Sequence, residues 1–88
     1  MGSIHSSNRI GVSRDDSCLL PRVVYVEPWG ADYTLLPGER IEIVVIGGGG
    51  STWFNVIEHD TATCVWIEGS GVDLMALEFE VFQNGKQI

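Results

Sequence analysis

The sequence predicts an all-β domain, a small antiparallel β-sandwich or partly open barrel of six or seven short strands. Three observations carry this. Short β-branched and aromatic runs recur along the chain, as in Arg22-Val23-Val24-Tyr25-Val26-Glu27 and Ala62-Thr63-Cys64-Val65-Trp66-Ile67-Glu68. Glycine, proline, asparagine and aspartate clusters punctuate those runs every 6–12 residues. The stretch from Tyr33 to Ile46 holds a short strand, a Pro-Gly turn and a long alternating strand in one piece. No internal repeat or heptad interrupts the pattern.

With 88 residues there is room for one domain. Residues 1–17 are rich in serine, glycine, arginine and asparagine, with only Ile4, Ile10 and Val12 as isolated apolar positions. They read as a disordered tail, and residues 18–88 as a single β domain. Arg22 to Glu27 forms the first strand, with Pro21 and Pro28 at its ends. Trp29-Gly30-Ala31-Asp32 turns the chain, and Tyr33 to Leu36 is a second, short strand. Pro37-Gly38 is a type II turn pair.

In the next strand Ile41, Ile43 and Val45 share one face, with Arg40 and Glu42 on the other. Val44 and Ile46 make the far end apolar on both faces, so that end should be sandwiched or covered. Gly47-Gly48-Gly49-Gly50-Ser51 is a mobile loop, since four consecutive glycines are costly to order. Thr52 to Glu58 is a strand by its β-branched and aromatic content. His59-Asp60-Thr61 turns into the strand Ala62 to Glu68, and Gly69-Ser70-Gly71 turns again. In the last segment Met75, Leu77, Phe79 and Val81 alternate with Glu78 and Glu80, which predicts one strand. Asn84-Gly85 is a strong hairpin signal, with Lys86-Gln87-Ile88 returning.

Charge is lopsided. Twelve acidic residues face five basic ones, for a net charge of −7. From Asp15 onward only Arg22, Arg40 and Lys86 oppose all twelve acids, leaving that part near −9. Such a surface repels phosphate backbones and anionic membranes. Nucleic-acid and membrane partners are therefore disfavoured, and a basic protein partner is the sharper alternative to a merely solvated surface. At 44% hydrophobic residues the chain is rich for its size, so some apolar surface should lie at a partner or subunit interface. Two cysteines, Cys18 and Cys64, are too few for a disulfide-framed secreted domain. No apolar signal core or bilayer-length stretch is present, which makes a soluble cytoplasmic protein the expectation.

Chemistry-bearing motifs are sparse. Ile43-Val44-Val45-Ile46 before the glycines suggests a nucleotide loop, but a helix and a second parallel strand would have to follow. No cofactor is expected. Glu58, His59, Asp60 and Cys64 cluster around one turn and could bind a metal or small ligand. A structural zinc site needs four ligands, usually in two spaced pairs, and the second pair is missing. A polar hairpin turn beside a core cysteine is the plainer reading. His59 is the only histidine after the N-terminal stretch, no orienting third residue marks a Cys64–His59 dyad, and Ser51 and Ser70 lie in no nucleophile elbow. An enzyme is not expected.

Leu36-Pro37-Gly38-Glu39-Arg40-Ile41-Glu42-Ile43 resembles a strand start seen in cupredoxin-like sandwiches. That resemblance implies a sandwich, but no histidine follows Cys64 and Met75 lies too far on for a copper loop. Val26-Glu27-Pro28-Trp29-Gly30 followed by Tyr33-Thr34-Leu35-Leu36-Pro37-Gly38-Glu39 resembles a pattern in short uncharacterised bacterial β-proteins. No activity comes with it.

The aromatic residues point furthest. Trp29, Trp53 and Trp66 fill a two-sheet core or form an exposed patch, and tryptophan anchors interfaces. The functional expectation is a small acidic, non-enzymatic binding or regulatory module acting through protein–protein contacts. Its candidate contact residues are Trp29, Trp53, Trp66, Val44 and Ile46. The alternative is a small-ligand or metal-binding sandwich using the Gly47-Gly48-Gly49-Gly50 loop with Glu58, His59, Asp60 and Cys64. A homodimer through an edge strand at Val44 to Ile46 is compatible with either.

Overall fold

The computed structural model describes residues 2–5 (backbone only), 8–15, 20–47 and 51–88. The mobile-loop expectation for Gly48, Gly49 and Gly50, and the question of Cys18, lie outside the described residues. Strands β1 (Gly2–His5), β2 (Arg9–Ser13), β3 (Arg22–Glu27), β4 (Ala31–Leu35) and β5 (Arg40–Ile46) are followed by β6 (Thr52–Glu58), β7 (Ala62–Gly69), β8 (Glu78–Gln83) and β9 (Lys86–Gln87). They form two open sheets, ordered β1-β6-β7-β3-β4 and β2-β5-β8-β9. The fold is all-β and compatible with a small β-sandwich, and the sheets do not close into a barrel.

Each sheet contributes its inward residues to one core. Val24 and Val26 of β3, Phe54 and Val56 of β6, and Val65 and Ile67 of β7 are buried from one side. Ile41, Ile43 and Val45 of β5 and Val81 of β8 are buried from the other. The period-two alternation in these strands is what places them there.

Three expectations need correction. The first concerns residues 1–17. Gly2–His5 pairs antiparallel with β6, and Arg9–Ser13 pairs antiparallel with β5. These two strands, one in each sheet, bring the number among the described residues to nine. Ile10 is buried and Val12 packs against the core. A five-residue edge strand with glycine and serine in it carries too little alternation to stand out from a polar leader. The Arg40 guanidinium lies over Gly11, where a side chain would otherwise go.

The second concerns pairing. β3 and β7 run parallel, with Tyr25 opposite Cys64 and Glu27 opposite Trp66. The chain leaves β3, passes through β4, β5 and β6, and returns alongside it. Such a crossover is what parallel neighbours require.

The third concerns the segment after Gly71. Leu74–Ala76 is a 3-10 turn, started by the Asp73 carboxylate accepting from the Met75 amide at 3.2 Å. The strand begins only at Glu78, so Phe79 and Val81 face the core while Met75 is 64% exposed. Aspartate at the cap and good helix formers after it outcompete the alternation there.

The turns follow their residues. Gly38 sits at φ +83° and the Glu39 amide donates to the Leu36 carbonyl at 3.0 Å, a type II turn. Asn84 and Gly85 have φ of +54° and +84°, as a two-residue hairpin loop with left-handed residues demands.

Candidate functional site

The turn between β6 and β7 carries the candidate ligand residues, and Arg22 organises it. Arg22 begins β3, which the parallel pairing lays beside the start of β7. Its guanidinium donates to the Glu58 carboxylate at 2.7 Å, to the Thr63 hydroxyl at 2.7 Å and to the carbonyls of His59, Asp60 and Ala62. Thr63 is buried and in turn donates to Glu58 at 2.9 Å. Glu58 is thus already held by a cation and a hydroxyl. His59 and Asp60 lend their backbone carbonyls to the clamp, and their side chains lie at the surface. Among the described residues no three histidine, cysteine, aspartate or glutamate side chains gather to hold a metal. Cys64 is half-buried, and burial, followed by the charges of Glu27 and Glu58, raises its thiol pKa.

The outward face of the five-stranded sheet is different. β7 is its middle strand, and Trp66, 39% exposed, points outward from that strand. On β6, Asn55 lies opposite Trp66 and Trp53 opposite Glu68. Trp53, Ile57 and, from β3, Tyr25 are therefore diagonal neighbours of Trp66, within reach of large side chains. Tyr25 is 36% exposed, and Trp53, Ile57 and Cys64 are half-buried. The Trp53 indole N–H donates to Glu68 at 3.2 Å, which holds that ring against the sheet.

Charge separates the two sheets. The strands of the five-stranded sheet carry Glu27, Asp32, Glu58 and Glu68 against Arg22 alone. Those of the four-stranded sheet balance Glu42, Glu78 and Glu80 with Arg9, Arg40 and Lys86. The acidic excess of the strands therefore accompanies the aromatic face.

Of the five contact candidates, Trp53 and Trp66 come together. Trp29 does not join them. It stacks on Phe79 of the opposite sheet, with ring centroids 4.4 Å apart and planes 22° from parallel, and packs against the core. Val44 and Ile46 point outward from the four-stranded sheet, Ile46 at 42% exposure, opposite Glu80 and Glu78. The end of β5 is apolar on both faces as expected. β5 is, however, an inner strand between β2 and β8, so Val44 to Ile46 offers no free edge. A recess of about 210 Å³ on that side is lined by Arg9, Glu42, Phe82 and Gly85, with Arg9 and Glu42 3.7 Å apart.

Sequence reasoning missed Tyr25, Glu27 and Arg22. All three lie on β3, and only the parallel pairing with β7 brings them to these places. A local pattern carries no signal for that pairing.

No protein-family model, curated protein or solved structure matches the chain. The class that the fold defines is a small two-sheet β domain with one aromatic, acidic face.

Proposed function

We propose that the chain is a small, non-enzymatic binding or regulatory module that acts through protein–protein contacts. Its docking surface is the outward face of the five-stranded sheet, and its partner presents a basic, partly apolar surface. The observation that carries this reading is Trp66. A large indole stands exposed on the middle strand, with Tyr25 and Trp53 diagonal to it. Aromatic side chains near the centre of a patch, surrounded by a polar rim, are the residues that dominate binding energy. The acidic excess on this sheet favours a basic partner through complementary charge and faster encounter, and it opposes self-association through the same face.

The test compares purified variants for direct binding to a partner. Trp66→Ser and Trp53→Ser should each weaken the complex about tenfold or more, as truncated interface anchors do. Val44→Ser and Ile46→Ser, on the other sheet, should leave it unchanged. Association should also slow as salt rises, since steering charges are screened. Binding that survives both tryptophan substitutions, or that is lost equally in the Val44 and Ile46 variants, would overturn the reading.

A further inference from the structure

Three carboxylates, one each from β3, β6 and β7, differ in what they already hold. Glu58 is bound by Arg22 and Thr63, and Glu68 accepts from Trp53. Glu27 has no hydrogen bond or ion pair to any described side chain, yet it is half-buried and lies directly opposite Trp66 in the parallel ladder. Tyr25, two residues before it on the same strand face, is exposed on the same side of Trp66. An unengaged carboxylate thus stands opposite an exposed indole and two residues from a phenol ring on the same strand face.

Resting on the docking-face reading above, we infer that Glu27, Trp66 and Tyr25 form a site for an arginine side chain of the basic partner. The guanidinium lies over the Trp66 ring and donates to the Glu27 carboxylate, with Tyr25 flanking it. A planar cation suits this pair of groups. It stacks on an aromatic face, sheds water more readily than an ammonium, and offers a fork of donors that fits a carboxylate. Lysine would supply the charge without the stacking.

The experiment titrates the full chain with penta-arginine, penta-lysine and penta-glutamine peptides at low ionic strength. Affinity is read by calorimetry, and contact by the indole N–H signals in NMR. Penta-arginine should bind roughly three- to fivefold more tightly than penta-lysine, the size of an exposed cation–π contact. It should shift the Trp66 indole signal, while penta-glutamine shifts nothing. Trp66→Leu keeps an apolar side chain and removes the ring, so it should shrink the arginine preference to what the Glu27 carboxylate alone supports. Glu27→Gln should weaken both. Circular dichroism checks that each variant is folded. Equal affinities in the unmodified chain, or an arginine preference that Trp66→Leu leaves undiminished, would overturn the arginine site while leaving a basic partner standing. No binding of either cationic peptide would overturn the docking-face reading itself.

Discussion

Glu39 accepts a hydrogen bond from the side-chain amide of Asn84 at 2.9 Å, joining two turns 45 residues apart in the chain. The same carboxylate takes the Leu36 backbone amide at 2.7 Å and the Gln83 side-chain amide at 3.2 Å. Asn84 replies by accepting from the Arg40 amide at 3.1 Å. Gln83 also donates to the Thr34 carbonyl on β4, so one end of the sandwich is laced from the four-stranded sheet to the five-stranded one. The Pro-Gly turn and the Asn-Gly turn are each locally encoded, and Glu39 is the residue that ties them together.

Glu39 gives the protein a predictable acid response. The Leu36 amide first, then the Asn84 amide, hold its carboxyl below the usual range, with desolvation opposing and Gln83 assisting. A carboxylate with a depressed pKa in the folded state makes the unfolded chain the better proton binder. Its contribution is therefore present above the ordinary glutamate pKa and is lost as pH falls through the folded value. Urea unfolding followed from about pH 5 to about pH 2 should show a steeper loss of stability for the unmodified chain than for Glu39→Gln. Equal slopes would refute this role.

Arg22→Met should destabilise the fold by about 2–4 kcal/mol, because it strips a charged donor from the buried Thr63 hydroxyl and three turn carbonyls. Arg22→Lys should not rescue it, since an ammonium cannot span the same acceptors. Glu58→Gln should cost less than about 1 kcal/mol, because the Glu58 side chain is 56% exposed. Chemical denaturation of the three variants separates the clamp from its surface ion pair.

Trp29 and Trp66 should respond oppositely to truncation. Trp29→Ala removes the stack on Phe79 and opens the space between the sheets, at about 2–4 kcal/mol. Trp66→Ala removes an exposed ring and should change stability by less than about 1 kcal/mol. Thermal unfolding compares them directly. A large loss in the Trp66 variant would mean that the ring serves the fold rather than an interface.

Ile10→Ala tests whether β2 belongs to the sandwich. Ile10 is 7% exposed and lies opposite Ile43, so its truncation should cost about 2–3 kcal/mol. An unpaired leader would tolerate the same change at no measurable cost.

Cys64 should be a slow nucleophile. Burial and the neighbouring Glu27 and Glu58 charges raise its pKa, which keeps the thiol protonated to higher pH than in the unfolded chain. Alkylation by iodoacetamide near pH 8 should run more slowly at Cys64 in the native protein than in urea, and the native rate should climb at higher pH. Peptide mapping separates this from Cys18.

The sequence by itself determined the all-β class, the strands from Arg22 to Glu68 to within a residue or two, and the turns at Pro37-Gly38 and Asn84-Gly85. These rest on local physics: period-two alternation, β-branched content, and residues that accept a positive φ. It also determined that the far end of β5 is apolar on both faces and that the chain is acidic. Only the tertiary structure decided that β3 lies parallel to β7, because that pairing follows from a crossover and from no neighbouring residue. That single pairing sends Arg22 to the turn at Glu58, Glu27 to Trp66, and Tyr25 to the aromatic face. The same limit applies to Trp29, whose place against Phe79 depends on the distance between two sheets, and to β2, whose short alternation means little until β5 lies beside it. Strand-forming tendency is a property of a few adjacent residues, whereas a binding face is a property of which strands become neighbours.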